Sequence, residues 1–572
     1  MKMIKLHFSD SYDFLPYIQK CRLAFPFYRA HSEAQTALFE HLKEKSAAVY
    51  VAIKKEQPLF FVSIQEGQVV NLLAVASSGV TWAQIFSGID MLYKKTFKSE
   101  VVLRFRHSLN ETEHSRLIQQ GYRLSGNEAY KKLQYNTALV LGGGGARGAY
   151  QIGVWQALKE LDIPIQIITG TSVGALNGAL IVQDDFEQAK EMWEQIDTKK
   201  ILSFPMKETT GNTLPDMLSK MASFTVAAIQ SKGVSTRPLQ QLIDATFSPE
   251  KLEQAKQQFY LVTTELPGVV ETVIHFNMCK NDQWKQWLLA SSSFFPAMAA
   301  AQIDGKYYID GGYRNNIPVD TAIANGATEC IIVDVKGPGM TKHVVLPEGQ
   351  SAILLKTPWS LGTVLLFDGA RSIVNIKLGY LEMMKALEKY IGYWYTFDES
   401  FVGLQVLQQQ FFRYLKKNYQ LSLWKNREER KKFYQKLRKY YKDRVYEENI
   451  SLVLLELLGK FADVPADQLY TVVEFVQALK IVWTNKEEEN TFDGMISAQE
   501  WLGKYYDDFF LLSEKRQLQL VTDLLAVEVK EKKKRLSWLL DQLPVITLQV
   551  LMKEFINEGV DDEWLKNFHM KS

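Results

Sequence analysis

Two short apolar runs, TALVLGG from Thr137 and IQIITG from Ile165, each break at glycine and pass into a helical period. A chain that does this twice in succession is committed to strand, tight turn and helix, the order of parallel βαβ units. FYLVTTE and ECIIVDVKG add runs rich in β-branched residues, as strands buried on both faces require. The middle of the chain, residues 136–385, is therefore expected to be an α/β domain built on a parallel sheet.

The first turn holds four consecutive glycines, Gly142 to Gly145, and Gly143, Gly145 and Gly148 fit G-x-G-x-x-G. A dinucleotide site also needs an acidic residue about 20 positions on, at the end of the second strand. Asp162 lies at that distance but in the LDIP turn before the strand, so the ribose clamp is missing. The second strand ends instead in Gly170-Thr171-Ser172-Val173-Gly174, a G-x-S-x-G match between strand and helix. A nucleophile on so tight a turn has strained backbone angles and no room for neighbouring Cβ atoms, hence Gly170 and Gly174. Ser172 would stand at a helix amino end, where the macrodipole favours an alkoxide.

A seryl nucleophile needs a base. Of the eight histidines, only His275 and His343 follow the elbow within the middle segment, and His275 lies in the apolar run TVIHFN, as a core or surface histidine would. A carboxylate fits better. KYYIDGGYRNNIPVD ends a short aromatic-rich strand at Asp310, and Gly311 and Gly312 let the backbone turn behind it. The carboxyl ends of parallel strands gather on one sheet edge, where a partly desolvated aspartate can take the seryl proton.

GGGGARG, then GTSVG, then ASSSFFPAMAAAQIDGKYYIDGGYRNNIPVD together resemble the patatin-like phospholipases, bacterial type, over residues 136–385. GVSTRPL, LVTTEL and LGTVLLFDGARSIVNIKLGY extend the resemblance. It implies a three-layer α/β/α catalytic domain and a Ser-Asp dyad without histidine, Ser172 as nucleophile and Asp310 as proton acceptor. The amides around Gly144, Gly145 and Ala146 would form the oxyanion hole, with Arg147 steadying the loop or the anionic intermediate. The implied reaction is hydrolysis of phospholipid or lysophospholipid esters through an acyl-enzyme, with no metal or cofactor. Asn315 and Asn316 are expected to fix loop geometry, and Ser291 to Ser293 to form a helix end.

The flanks lie outside the resemblance. Residues 1–135 alternate strand and helix signals and are weakly similar to the acetyltransferase fold, but ASSGVTWAQIF carries no pyrophosphate loop, so a structural or regulatory module is expected. Residues 386–572 read as an all-α domain. Two basic stretches there, KNREERKKFYQKLRKYYKDR and EKKKRLSWLL, fit either bundle helices with solvated charges or helices lying on anionic lipid.

A formal charge of +2, from 67 basic and 65 acidic residues, argues against a polyanion binder, and no nucleic-acid motif accompanies the basic runs. Cys21, Cys279 and Cys330 are widely spaced, which disfavours a disulfide framework or zinc knuckle and fits the cytoplasm. Nothing resembles a signal peptide or an apolar stretch of the roughly 18 residues that span a bilayer, so membrane contact would be peripheral. An acyltransferase or thioesterase using the same dyad, or an idle lipid-binding scaffold, are the alternatives. The sequence is silent on oligomeric state.

Overall fold

The computed structural model describes residues 1–8, 11–44, 46–198, 201, 235–279, 283–295, 298–398, 401–419, 433–438, 441, 445–485, 502–504, 506–526 and 529–560. They fall into two compact units, Met1–Lys389 and Tyr390–Ser572. The amino-terminal module and the middle segment thus share the first unit.

In the middle segment, five parallel strands run in the order Gln258–Leu266, Ile167–Thr171, Thr137–Leu141, Glu329–Val333, Ser351–Leu355. Side chains alternate between faces along each strand. Ala138, Val140, Ile167 and Tyr260 pack with Val319 and Ala322 of the Val319–Ala324 helix. Ile168 and Phe259 meet Gly178 of the Val173–Val182 helix. Helices therefore cover both faces.

The rest of the sheet is antiparallel, which departs from the parallel arrangement expected. Lys306–Asp310 pairs antiparallel with Gln258–Leu266, and Ala301–Ile303 continues the sheet beyond it. Asp304 and Gly305, both with positive φ, 48° and 80°, close the tight hairpin that joins these last two strands.

Helices Ala149–Glu160 and Gly369–Ala386 approach backbone to backbone. A Cβ on Gly153 would collide with the Ile376 carbonyl, and one on Gly379 with the Tyr150 carbonyl.

The amino-terminal module has its own eight-stranded sheet and core. Lys94, on its Trp82–Lys94 helix, reaches Glu329 at the start of a middle-segment strand, with Nζ 2.5 Å from Oε1. The pair is nearly dry, with 12% and 2% of the side chains exposed. Glu329 also accepts from the Thr328 hydroxyl at 2.6 Å and the Asn136 amide at 3.2 Å.

The second unit is helical, with Phe401–Tyr419, Ile450–Ala462, Val472–Asn485, Glu514–Leu525, Val529–Gln542 and Pro544–Gly559, plus one two-residue parallel pairing of Thr396–Phe397 with Leu469–Tyr470. Of the first basic stretch only 433–438 and 441 are described; Phe433, Leu437 and Tyr441 are buried there. In the second, Leu536 and Leu539 are buried. The described part of the first stretch thus places its apolar stripe in core, whereas in the second Trp538 is 44% exposed. Among the described residues no helix is long and apolar enough to cross a membrane.

Removing one partner of a buried ion pair leaves an uncompensated charge, which costs about 3–5 kcal/mol. Lys94→Met is expected to destabilise the first unit by that amount in urea denaturation, and Lys94→Met with Glu329→Gln to recover most of the loss.

Candidate active site

Strand Gln258–Leu266 works as a ruler. On one edge it pairs with Val270–His275 throughout. On the other edge its first half pairs with Ile167–Thr171, where Thr171 faces Val262, and its second half with Lys306–Asp310, where Asp310 faces Thr263. The strand that carries the serine and the strand that carries the aspartate therefore meet end to end along one edge. Asp310 ends a strand that runs opposite to the parallel strands, yet it meets Ser172 at their carboxyl ends.

Ser172 follows at once, with φ 57° and ψ −126°, a left-handed conformation that a non-glycine residue adopts only under constraint. The flanking glycines make room for it. A Cβ on Gly170 would strike the Gly174 carbonyl, and one on Gly174 the Leu141 carbonyl. Gly311 is equally confined, against the Val262 carbonyl.

The Ser172 hydroxyl lies close enough to the Asp310 carboxylate to favour its charged form, as a hydrogen-bond donor does. Asp310 Oδ1 also accepts the Gly312 amide at 2.7 Å. The aspartate is only 3% exposed. Burial pushes its pKa up to about 6, against the opposing pull of the two hydrogen bonds.

The glycine loop lies beside this pair: a Cβ on Gly143 would stand 3.2 Å from Ser172 Cβ. In a trans peptide the carbonyl and the next residue's N–H point opposite ways, so holding one aims the other. Asn316 Nδ2 holds the Gly143 carbonyl at 3.3 Å, which turns the Gly144 N–H outward. The Arg147 amide donates to the Gly144 carbonyl at 3.3 Å, which does the same for the Gly145 N–H. Gly145 itself has φ 56°, a conformation glycine adopts without strain. Among the described residues neither of these N–H groups has an acceptor, and both residues line the pocket at Ser172.

Ala146 does not join them, a correction to the expected hole. Its amide donates to the Val364 carbonyl at 2.8 Å, so it anchors the loop. Arg147 is an anchor too: Nε donates to the Gly362 carbonyl at 2.8 Å, and Nη1 to the Lys336 carbonyl. Gly148 is needed for packing, since a Cβ there would strike Val173.

Sequence reasoning missed the polar chain beneath the loop. Trp193 Nε1 donates to Asn177 Oδ1 at 3.0 Å, Asn177 Nδ2 donates to Gln151 Oε1 at 2.8 Å and to the Gly148 carbonyl at 2.9 Å, and Gln151 Nε2 donates to the Gly142 carbonyl at 2.7 Å. Asn177 and Gln151 are fully buried. Asn177 is the lone polar residue of VGALNGALIV, and a solitary amide in an apolar helix is a readable mark of a buried network.

Asn315 bonds carboxylates, with Nδ2 2.9 Å from Glu271 and 2.7 Å from Asp320, and Asn316 bonds backbone. His275 stacks on Tyr260, ring centroids 4.4 Å apart, and His343 is exposed. Among the described residues no cluster of three His, Cys, Asp or Glu side chains could hold a metal ion.

Ser172, Asp310, Gly144 and Gly145 open into a narrow cavity of about 80 Å³. Its wall is apolar, with Leu176, Leu180, Trp193, Ile243, Phe247 and Phe367 among the lining. A serine on a strand-to-helix elbow, a buried carboxylate in contact with it and two outward N–H groups define an acyl-transfer type of site.

Comparison with known proteins agrees. Residues 139–323 match the patatin-like phospholipase family model. It is 28% identical over 313 residues to mouse patatin-like phospholipase domain-containing protein 6, covering 52% of this chain and 19% of that protein. It is 31% identical over 204 residues to mouse patatin-like phospholipase domain-containing protein 7, covering 35% and 13%. To lysophospholipase NTE1 of Saccharomyces cerevisiae it is 26% identical over 262 residues, covering 44% and 14%. The chain thus spans less than a fifth of the length of these relatives.

Asp310 sets up a trade-off with stability. Its folded pKa of about 6 lies above the ordinary 3.8, so the folded molecule holds the proton more tightly than the unfolded chain. Ionisation therefore opposes folding progressively from pH 3.8 to about 6, and the full cost, on the order of 3 kcal/mol, persists above. Asp310→Asn is expected to raise the thermal unfolding temperature at pH 8 and to leave it nearly unchanged at pH 4.

Proposed function

We propose that this protein is a serine acyl hydrolase that cleaves acyl esters of phospholipids or lysophospholipids through an acyl-enzyme. The observation that carries the reading is the Ser172 hydroxyl beside the buried Asp310 carboxylate, next to Gly144 and Gly145 amides that have no acceptor among the described residues. The family match and the names of the relatives, phospholipase and lysophospholipase, support the substrate class.

In the first half-reaction Asp310 takes the hydroxyl proton, and the Ser172 oxygen attacks the ester carbonyl. The tetrahedral oxyanion binds the Gly144 and Gly145 N–H groups, each such donor being worth about 3 kcal/mol to the transition state. Collapse breaks the ester C–O bond; the leaving alcohol or lysolipid receives the proton from Asp310. In the second half-reaction Asp310 deprotonates water, which attacks the acyl carbonyl and releases the fatty acid and free Ser172. The apolar cavity takes the acyl chain.

Membrane contact at the mouth of the cavity belongs to the same proposal. Phe294, Pro338, Leu365 and Phe367 line the cavity, and next to them in the chain Phe295, Met340 and Leu366 are 39%, 59% and 50% exposed. Such a rim favours transfer of a lipid from a surface. The three cysteines are all free, which supports a cytoplasmic placement.

The test is fatty-acid release from lysophospholipid and phospholipid vesicles, in parallel with fluorophosphonate labelling. Ser172→Ala should lose both. Asp310→Asn should lower kcat by about 10²–10⁴-fold while staying folded. Because Asp310 acts as a base only when ionised, wild-type kcat/KM should fall as pH drops through about 6. Vesicle hydrolysis that survives Ser172→Ala would overturn the proposal.

A further inference from the structure

The segment Ser291–Ser293 lies at the carboxyl end of the Trp284–Ser291 helix, and its role as a helix end accounts for Ser293 Oγ to the Leu289 carbonyl at 2.7 Å and for the Ser292 and Ser293 amides, which donate to the Leu288, Leu289 and Ala290 carbonyls. Three further polar groups leave the helix. Ser291 Oγ accepts the Ser172 N–H at 3.1 Å and donates to the Val262 carbonyl at 2.7 Å. Ser292 Oγ donates to the Ser172 carbonyl at 3.3 Å. The Ser293 carbonyl accepts the Asp310 N–H at 2.9 Å. All three serines are buried.

We infer that Ser291 and Ser292 are positioning residues that lock the strained nucleophile in register with its base. The argument is one of constraint. Ser172 has left-handed angles that its own side chain disfavours; its amide is held by the Ser291 hydroxyl, and its carbonyl, which takes the Ala175 and Leu176 amides at 2.8 and 3.2 Å, also accepts the Ser292 hydroxyl. The same segment pins the Asp310 main chain. Ser291 further ties the Ser172 amide to Val262, the ruler residue opposite Thr171 and next to the partner of Asp310. Three consecutive residues thus touch both members of the pair and the strand that spaces them, without contacting the reacting oxygen.

With the Ser291 hydroxyl removed, the Ser172 amide and the Val262 carbonyl lose a buried partner, and the elbow is free to relax. The Ser172–Asp310 hydrogen bond then weakens. That bond holds the Asp310 pKa down, so weakening it moves the acid limb of activity to higher pH.

The inference rests on the acyl-hydrolase reading for its kinetic arm only. Ser291→Ala is expected to lower kcat on the order of tenfold to a hundredfold with KM little changed, as small misplacements of reacting groups do. It should also raise the acid limb above the wild-type value. Ser291→Thr, which keeps the hydroxyl, should return both toward wild type. Independently of any substrate, amide hydrogen exchange at the Ser172 elbow should speed up in Ser291→Ala and Ser292→Ala. If Ser291→Ala does not accumulate as folded protein, Ser292→Ala carries both arms. Wild-type exchange at the elbow together with an unmoved acid limb would overturn the inference, because a merely structural role lowers the amount of folded enzyme and leaves the limb in place. A wild-type protein without hydrolase activity would sink the hydrolase reading alone, and the exchange arm would still decide this one.

Discussion

One edge of the Gln258–Leu266 strand sets the chemistry. Thr171 faces Val262 and Asp310 faces Thr263, so the two strand ends approach within one residue step of the ruler, about 3.3 Å. Main-chain pairing alone brings a serine and an aspartate from distant parts of the chain into contact. Sheet hydrogen bonds are stiffer than side-chain contacts between loops, so the spacing does not depend on loop conformation. The site inherits the precision of the sheet.

That precision has consequences for stability. Ser172 carries backbone strain of about 1–3 kcal/mol. Asp310 carries a desolvated charge at neutral pH, and the Gly144 and Gly145 amides have no protein acceptor among the described residues. Each of these opposes folding, and each is what acyl transfer requires: an exposed oxygen, a base of raised pKa and empty donors. The surroundings offset them locally. Asn177 and Gln151 satisfy the loop carbonyls in a dry interior, and Gly153 against the Ile376 carbonyl with Gly379 against the Tyr150 carbonyl lets two helices close over the glycine loop's flank.

The parts of this site that could be read in the sequence are those where one residue type is the sole solution. Gly170 and Gly174 are legible because no Cβ fits, and Ser172 because an elbow between strand and helix admits few roles. Asp310 was legible by chemistry, since no histidine stood in a suitable turn. Its direction of approach was not: Asp304-Gly305 between two short runs marks a hairpin, but a hairpin fixes only that its own two strands are antiparallel, while the pairing with Gln258–Leu266 is non-local. The division of labour within GGGGARG was not legible at all. Whether an amide faces the pocket or an anchor depends on the Gly143 carbonyl held by the Asn316 side chain and the Ala146 amide held by the Val364 carbonyl, both partners far away in sequence.

The amino-terminal module shows the same limit from the other side. Its Gln68–Val75 strand pairs with Glu100–Arg104 only at Val69 with Leu103, so the two strands splay. On that edge Cys21–Leu23 pairs with Leu73–Val75: Ala74 has Phe60 as partner on one side and Arg22 on the other. The chain thus fills its own splay, and Phe25 and Phe27 pack behind it against Phe86 and Phe105. What order of elements made similar to an acetyltransferase is, at this edge, a closed core. Its ion pair lands on Glu329, whose partner Thr137 is the first residue of the glycine-loop strand, while the reacting groups gather past Leu141 at the other end. The module therefore buttresses the end of the sheet remote from the chemistry. It can stiffen the ruler and its neighbours without narrowing the approach to Ser172.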